Sequence, residues 1–192
     1  MTNICERQPR QLEMIWPAHL LEAKLPVSVA SGYALRVARS GDEPAFFRLM
    51  ALAGFADWNM EVLKPWLMKI LPDGWFVVIH EQSGELVATT MATHNPSDLH
   101  PFGGELGWVA AHPSHTGKGL GLAVCAAVTA RFLRAGYRNI YLKTDDFRLP
   151  AIKTYLKLGF VPFLEVAADH PGRWQTVCEK LNWPAPSLGS TL

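Results

Sequence analysis

The sequence predicts an α+β fold, with helices layered on a mixed sheet, and three observations carry that prediction. Helix-period and strand-period stretches follow one another as strand, two helices, a meander of strands, then strand–helix–strand–helix–strand. The turn residues Glu81-Gln82-Ser83-Gly84 join two apolar runs, which sets an antiparallel hairpin inside the sheet. A glycine-rich turn, His112 to Ala123, leads from an apolar strand-like run straight into an apolar helix-like one.

Residues 1–32 carry no clear period. Met14-Ile15-Trp16-Pro17 with Leu20, Leu21 and Leu25 is too apolar for a free tail, so this stretch reads as an arm packed on the domain or on a partner subunit. Tyr33–Ala38 is the first strand. Ser40-Gly41-Asp42-Glu43-Pro44 starts a helix, with early acids and proline in the first turn, and Phe46, Phe47, Leu49, Met50 and Leu52 give it an apolar face. Gly54–Asn59 breaks that helix; a second runs over Met60–Ile70 and closes at Leu71-Pro72-Asp73-Gly74.

Trp75–His80 and Glu85–His94 are the hairpin strands, and Asn95–Gly104 is a polar loop. Glu105–Ala111 is a strand that feeds the glycine-rich turn. The helix Leu120–Arg134 stops at Gly136, Asn139–Thr144 is a strand, and the helix Leu149–Leu158 stops at Gly159. Phe160–Ala167 and Trp174–Leu181 are expected to pair as a final hairpin around Asp169–Arg173. From Asn182 the chain is rich in proline and serine and reads as a flexible tail. No repeat or linker divides the middle, so the organisation is an arm (1–32), one domain (33–181) and a tail (182–192).

Bulk properties exclude several classes. With 192 residues and 49% hydrophobic content the chain can build a sizeable core. A formal net charge of +1 gives no electrostatic footprint for nucleic acid or an anionic membrane. The apolar runs are too short to span a bilayer, and Met1-Thr2-Asn3-Ile4-Cys5-Glu6-Arg7 lacks the apolar core of a secretory signal. Cys5, Cys125 and Cys178 are odd in number and widely spaced, which suits a reducing cytoplasm and no zinc or disulfide framework.

The glycine-rich turn carries the first chemistry. Gly117, Gly119 and Gly121 alternate, so backbone N–H groups can approach a ligand unobstructed by Cβ atoms. The helix beginning at Leu120 adds free amide donors and the positive end of its dipole, and Lys118 adds charge. Together these form a socket for a phosphate or pyrophosphate. The turn is not a P-loop, because Gly119 rather than Ser or Thr follows Lys118. It is not a dinucleotide fingerprint either: counting from Gly117 or Gly119, the third glycine position falls on Leu122 or Val124.

Thr116–Gly121 does resemble the acyl-CoA pyrophosphate loop of the GCN5-related N-acetyltransferase (GNAT) family, Gln/Arg-x-x-Gly-x-Gly/Ala, with Thr116 in place of the Gln or Arg. Downstream, Ala151-Ile152-Lys153-Thr154-Tyr155-Leu156-Lys157-Leu158-Gly159-Phe160 resembles that family's Asn-x-x-Ala-x-x-x-Tyr-x-x-x-Gly-Phe, with Arg148 in the Asn position. The resemblance covers roughly Tyr33 to Leu181. It implies a GNAT-like fold with a central mixed, mostly antiparallel sheet, and transfer of an acetyl group from acetyl-CoA, without a metal, to an amine by direct attack in a ternary complex.

The resemblance also implies the site. Tyr155 stands where family members place the donor of a proton to the leaving thiolate; a phenol is protonated at neutral pH and has a pKa near a thiol's. Glu105, eleven positions before Thr116, matches the offset of the base that deprotonates the acceptor amine. Backbone groups of Val109 to Ala111 would face the pantetheine arm as an added strand does. Thr116, Gly117, Lys118, Gly119, Leu120, Gly121 and Leu122 would hold the pyrophosphate, with Arg148 beside the arm. His112 and His115 are loop histidines rather than metal ligands, and Cys125 is read as buried rather than as a nucleophile.

The acceptor, a small-molecule or peptide amine, is expected between the helix break (Phe55, Asp57, Trp58) and the final hairpin (Glu165, Asp169, His170). A homodimer through the N-terminal arm is one expectation. Two rivals stay open: a catalytically inactive acyl-CoA sensor of the same fold, and a nicotinamide-binding enzyme using Asp145-Asp146.

Overall fold

Seven strands form one sheet in the order β2-β3-β4-β5-β6-β1-β7 in a computed structural model that describes residues 10–185. In chain order the elements are β1 (Leu12–Ile15), β2 (Tyr33–Val37), α1 (Glu43–Leu52), α2 (Met60–Leu67), β3 (Ile70–His80), β4 (Leu86–His94), β5 (Gly104–Ala111), α3 (Leu120–Arg134), β6 (Ile140–Thr144), α4 (Leu149–Leu158), β7 (Val161–Phe163) and α5 (His170–Leu181). The β5–β6 pair is parallel and the other pairs are antiparallel. The mixed, mostly antiparallel α+β sheet of the sequence analysis is the one observed.

Two apolar layers hold the helices on the sheet. Val124, Cys125, Val128 and Phe132 of α3, Ile152 and Leu156 of α4, and Trp174 and Val177 of α5 pack with Leu106, Ile140 and Leu142. Phe46, Leu49 and Met50 of α1, with Trp58 and Leu63, pack with Trp75, Val77, Met91 and Ala110. Leu106 and Ala110 both have even numbers on β5 and would share a face under strict alternation. A bulge between them, where Thr89↔Ala110 is followed by Met91↔Gly107, adds one residue to β5 and reverses the faces.

The expected final hairpin does not form. Trp174–Leu181 lies within helix α5, because Trp174, Val177 and Cys178 bury one face at helical spacing and Pro171 sits in the first turn. The aromatic and β-branched Trp174, Thr176 and Val177 resemble a strand only when that spacing is ignored.

The partner of β7 is instead β1, from the stretch expected to be an arm. Leu12–Ile15 inserts between β6 and β7 and so belongs to the sheet, and the domain extends N-terminal to residue 33. Its alternation is masked in the sequence because Glu13 is as buried as Leu12 and Met14. Glu13 accepts a hydrogen bond from His100 Nε2 at 2.7 Å, both side chains being 2% exposed. Smaller corrections follow from local breaks: α2 ends at Leu67, and β3 begins at Ile70 with a register irregularity before Trp75. At the other end Trp183 packs on the core, so the tail expected from Asn182 is ordered that far; its residues from 186 lie outside those described, as does Cys5.

Candidate active site

β5 and β6 pair only at Gly104↔Ile140 and Glu105↔Tyr141. Beyond those two rungs they part, and the gap is a cleft of about 130 Å³ walled by Glu105, Trp108, Val109, Thr144, Arg148 and Tyr155 among others. Both expected catalytic residues therefore line one cleft. Glu105 stands at its closed end, on the last paired rung, and Tyr155 comes from α4.

The bulge shapes the β5 wall. Trp108 has φ 58°, a left-handed conformation that costs a bulky residue about 1–3 kcal/mol. Its ring is held by Trp58 at 4.4 Å, Trp66 at 4.8 Å and Phe55 at 6.1 Å between centroids. Trp108 and Val109 are the bulged residues, outside the β4–β5 register, and both line the cleft. A Cβ built on Gly107 meets nothing within 4 Å, so the wall is open at that point.

Tyr155 is 5% exposed. Burial, followed by the neighbouring Cys125, raises its phenol well above the ordinary tyrosine value, with Arg148 opposing, so it is protonated at neutral pH. Burial alone pushes the Cys125 thiol up to about 12. Arg148 lines the cleft, but its guanidinium lies 4.4 Å over the Phe55 ring and its Nε donates to Asp145 at 3.1 Å. It thus ties the turn after β6 to the break between α1 and α2.

The glycine-rich loop opens α3. Gly117 and Gly119 have φ 74° and 71°, and Gly119 caps the helix. The first intrahelical bond at this end is Ala123 N–H to Gly119 O at 3.0 Å, so the amides of Leu120, Gly121 and Leu122 precede the ladder. Thr116, Gly117, Lys118 and Gly119 are exposed, and a Cβ on either of those two glycines meets nothing within 4 Å. The Leu120 side chain points into the core, leaving its backbone as the part that faces the loop. Ala111 pairs with Ala88 and sits at the exit of β5, outside the cleft walls.

These features fit an acyl-CoA: an amide-lined loop for a pyrophosphate, and a slot between parted strands for an extended arm. The Thr144 hydroxyl, buried in the cleft wall without a hydrogen-bond partner, is one more polar atom there. His115 anchors the loop from behind, its Nδ1 2.9 Å from Tyr33 Oη, while His112 Nδ1 accepts from Ser114 N–H. No group of three metal-ligating side chains occurs among the described residues.

Part of the expected acceptor pocket is corrected. Phe55 lines the cleft, but Trp58 packs in the core. His170 is fully buried at the start of α5, where burial and then Arg173 lower its pKa, so it cannot meet an incoming acceptor. Asp145 is engaged by Arg148 and Gln11, and Asp146 by Arg173. Sequence reasoning missed Asn95, Tyr141 and Trp108. Asn95 belongs to a polar loop stretch and Tyr141 to an apolar strand-like run, so neither stands out, and nothing in a sequence announces a tryptophan at positive φ.

The model of the acetyltransferase (GNAT) family matches residues 42–160. The chain belongs to the GNAT family. Among curated proteins it is similar to the mycothiol acetyltransferase of Sanguibacter keddieii, 27% identical over 168 residues, covering 76% of this chain and 51% of that protein. The mycothiol acetyltransferase of Thermomonospora curvata is 29% identical over 157 residues, covering 75% and 50%. This GNAT chain thus spans about half the length of the curated relatives it matches. Among solved structures, a GCN5-related N-acetyltransferase from Sphaerobacter thermophilus superposes with a TM-score of 0.60 at 22% identity, over 80% of this chain and 50% of that one. That likeness is one of fold.

Proposed function

We propose that this GNAT chain transfers an acetyl group from acetyl-CoA to the amine of a small-molecule or peptide acceptor, by direct attack in a ternary complex. The observation that carries the reading is the cleft between β5 and β6, which brings Glu105 and Tyr155 together. The mycothiol acetyltransferase relatives support the reaction class.

Bound acetyl-CoA would supply the activated acyl group as a thioester. The Gly117–Leu122 backbone and Lys118 would hold its pyrophosphate, and the bulged segment Trp108–Val109 would lie along its arm. Glu105 takes the proton that an alkylammonium must lose before its nitrogen can attack. The Tyr155 Oη gives a proton to the departing sulfur. Its raised pKa keeps that proton in place at neutral pH. The indole of Trp108 is fixed beside the cleft by its aromatic neighbours.

The test is CoA release from acetyl-CoA over a panel of primary amines. Turnover with at least one amine, abolished in Glu105→Gln, supports the enzyme. Acetyl-CoA binding without turnover of any amine favours the sensor, for which the departures at Thr116 and Arg148 speak.

A further inference from the structure

The Glu105 carboxylate is held from one side only. Asn95, the first residue after β4, donates through Nδ2 to Glu105 Oε2 at 2.5 Å. Lys69 Nζ donates to the other end of the same amide, Oδ1, at 2.9 Å. An ammonium can only donate and a carboxylate can only accept, so the amide has one workable orientation; a flip would oppose like groups at both ends. The Asn95 backbone is pinned as well. Its N–H donates to Gly103 O at 3.0 Å, and its carbonyl accepts from Tyr141 Oη at 2.6 Å.

Tyr141 does not compete for the carboxylate. Its proton goes to the Asn95 carbonyl, and its oxygen lies 3.4 Å from Glu105 Oε2. His100 stacks on the Tyr141 ring at 3.9 Å and is paired with Glu13, so that ring is fixed too. Oε1 of Glu105 has no hydrogen-bond partner among the described residues, and its side chain lines the cleft. The charged or titratable groups around this carboxylate are Tyr141 and Lys143 of β6, Lys69 beyond the amide, and the Glu13–His100 pair beneath the Tyr141 ring.

We infer that Asn95 is a positioning residue for the proton acceptor: its amide, oriented by Lys69, occupies Oε2 of Glu105 and leaves Oε1 to receive the proton. The inference rests on the reading of Glu105 as the base. It assigns a role to a loop residue outside both glycine-loop and α4 motifs.

The test is steady-state kinetics on native, Asn95→Asp and Asn95→Leu proteins, with tyramine and glucosamine as amine probes. Both variants lose the donor to Oε2, and kcat is expected to fall roughly tenfold or more while cooperative unfolding and calorimetric acetyl-CoA affinity stay native. In a Glu105→Gln background the same Asn95 changes are expected to cost nothing further, because Asn95 acts through Glu105. A native kcat in both Asn95 variants, or a loss that adds in full to that of Glu105→Gln, overturns the inference. A Glu105→Gln protein that keeps the native rate removes Glu105 as base, whereas a slowed Glu105→Gln with native kcat in both Asn95 variants removes only the role of Asn95.

Discussion

Glu105 and Tyr141 form the last rung on which β5 and β6 still pair, and the cleft opens from that rung toward Tyr155. A carboxylate at that apex is fixed by the sheet behind it while its free oxygen serves the open side. Replacing Glu105 with Gln keeps the shape and removes the proposed proton acceptor. We expect kcat to fall by roughly 10²–10⁴-fold while calorimetric affinity for acetyl-CoA is unchanged. An equal loss of affinity would instead indicate a binding role.

Tyr155→Phe removes the proposed proton donor and little else from a buried ring. The expected result is a drop in kcat of roughly tenfold or more with native acetyl-CoA affinity. Because its pKa is raised, the phenol keeps its proton to higher pH than a free tyrosine. The rate–pH profile of the native protein should show no basic limb from this group below about pH 10. A basic limb near pH 8 that vanishes in Tyr155→Phe would contradict this.

Cys125, with its thiol pushed up to about 12 and no exposure, is expected to stay unmodified. Mass spectrometry after incubation with acetyl-CoA should find no acetyl group on it, and Cys125→Ala should keep the native rate. A stable acetyl adduct at Cys125 would replace direct attack with a two-step route.

The Glu13–His100 pair fastens β1 into the sheet. Burial alone would raise the Glu13 carboxyl; the His100 hydrogen bond and charge, with Lys143 and Arg10, outweigh it and hold the pKa below the ordinary glutamate value. A depressed carboxylate adds stability above its unfolded pKa of about 4.3 and loses it as pH falls through the folded value. Chemical denaturation should therefore show stability declining below about pH 4.3 more steeply in the native protein than in Glu13→Gln. Removing one partner, as in His100→Ala, should cost about 3–5 kcal/mol, and Glu13→Leu with His100→Leu should cost less than the two single changes summed.

Much of this was legible in the sequence, and the reasons differ by element. The glycine spacing at 117, 119 and 121 and the Gly136 and Gly159 stops are local backbone requirements, so α3 and α4 were found with their ends correct. Tyr155 and Glu105 came from family motifs, and the fold brings both to one cleft. What was lost depended on long-range partners. Glu13 disguised β1 because its burial is compensated chiefly by His100, which stands 87 residues away. Trp174 and Val177 disguised α5 because strand-forming residue types served a helical face. Asn95 touches Glu105 across a loop, and no local pattern encodes that meeting.

The central claim is that the Gly117–Leu122 loop and the parted strands bind acetyl-CoA, and calorimetry tests it most directly. The native protein and Gly119→Val are titrated with acetyl-CoA, with NADH as the control ligand. Gly119 has φ 71°, a conformation a β-branched residue strongly resists, so the substitution distorts the amide cradle at its cap. The expected result is micromolar acetyl-CoA binding by the native protein, weakened roughly tenfold or more in Gly119→Val as anion-binding donors are lost, and no NADH binding. Binding of NADH alone, or acetyl-CoA affinity that Gly119→Val leaves unchanged, would contradict it.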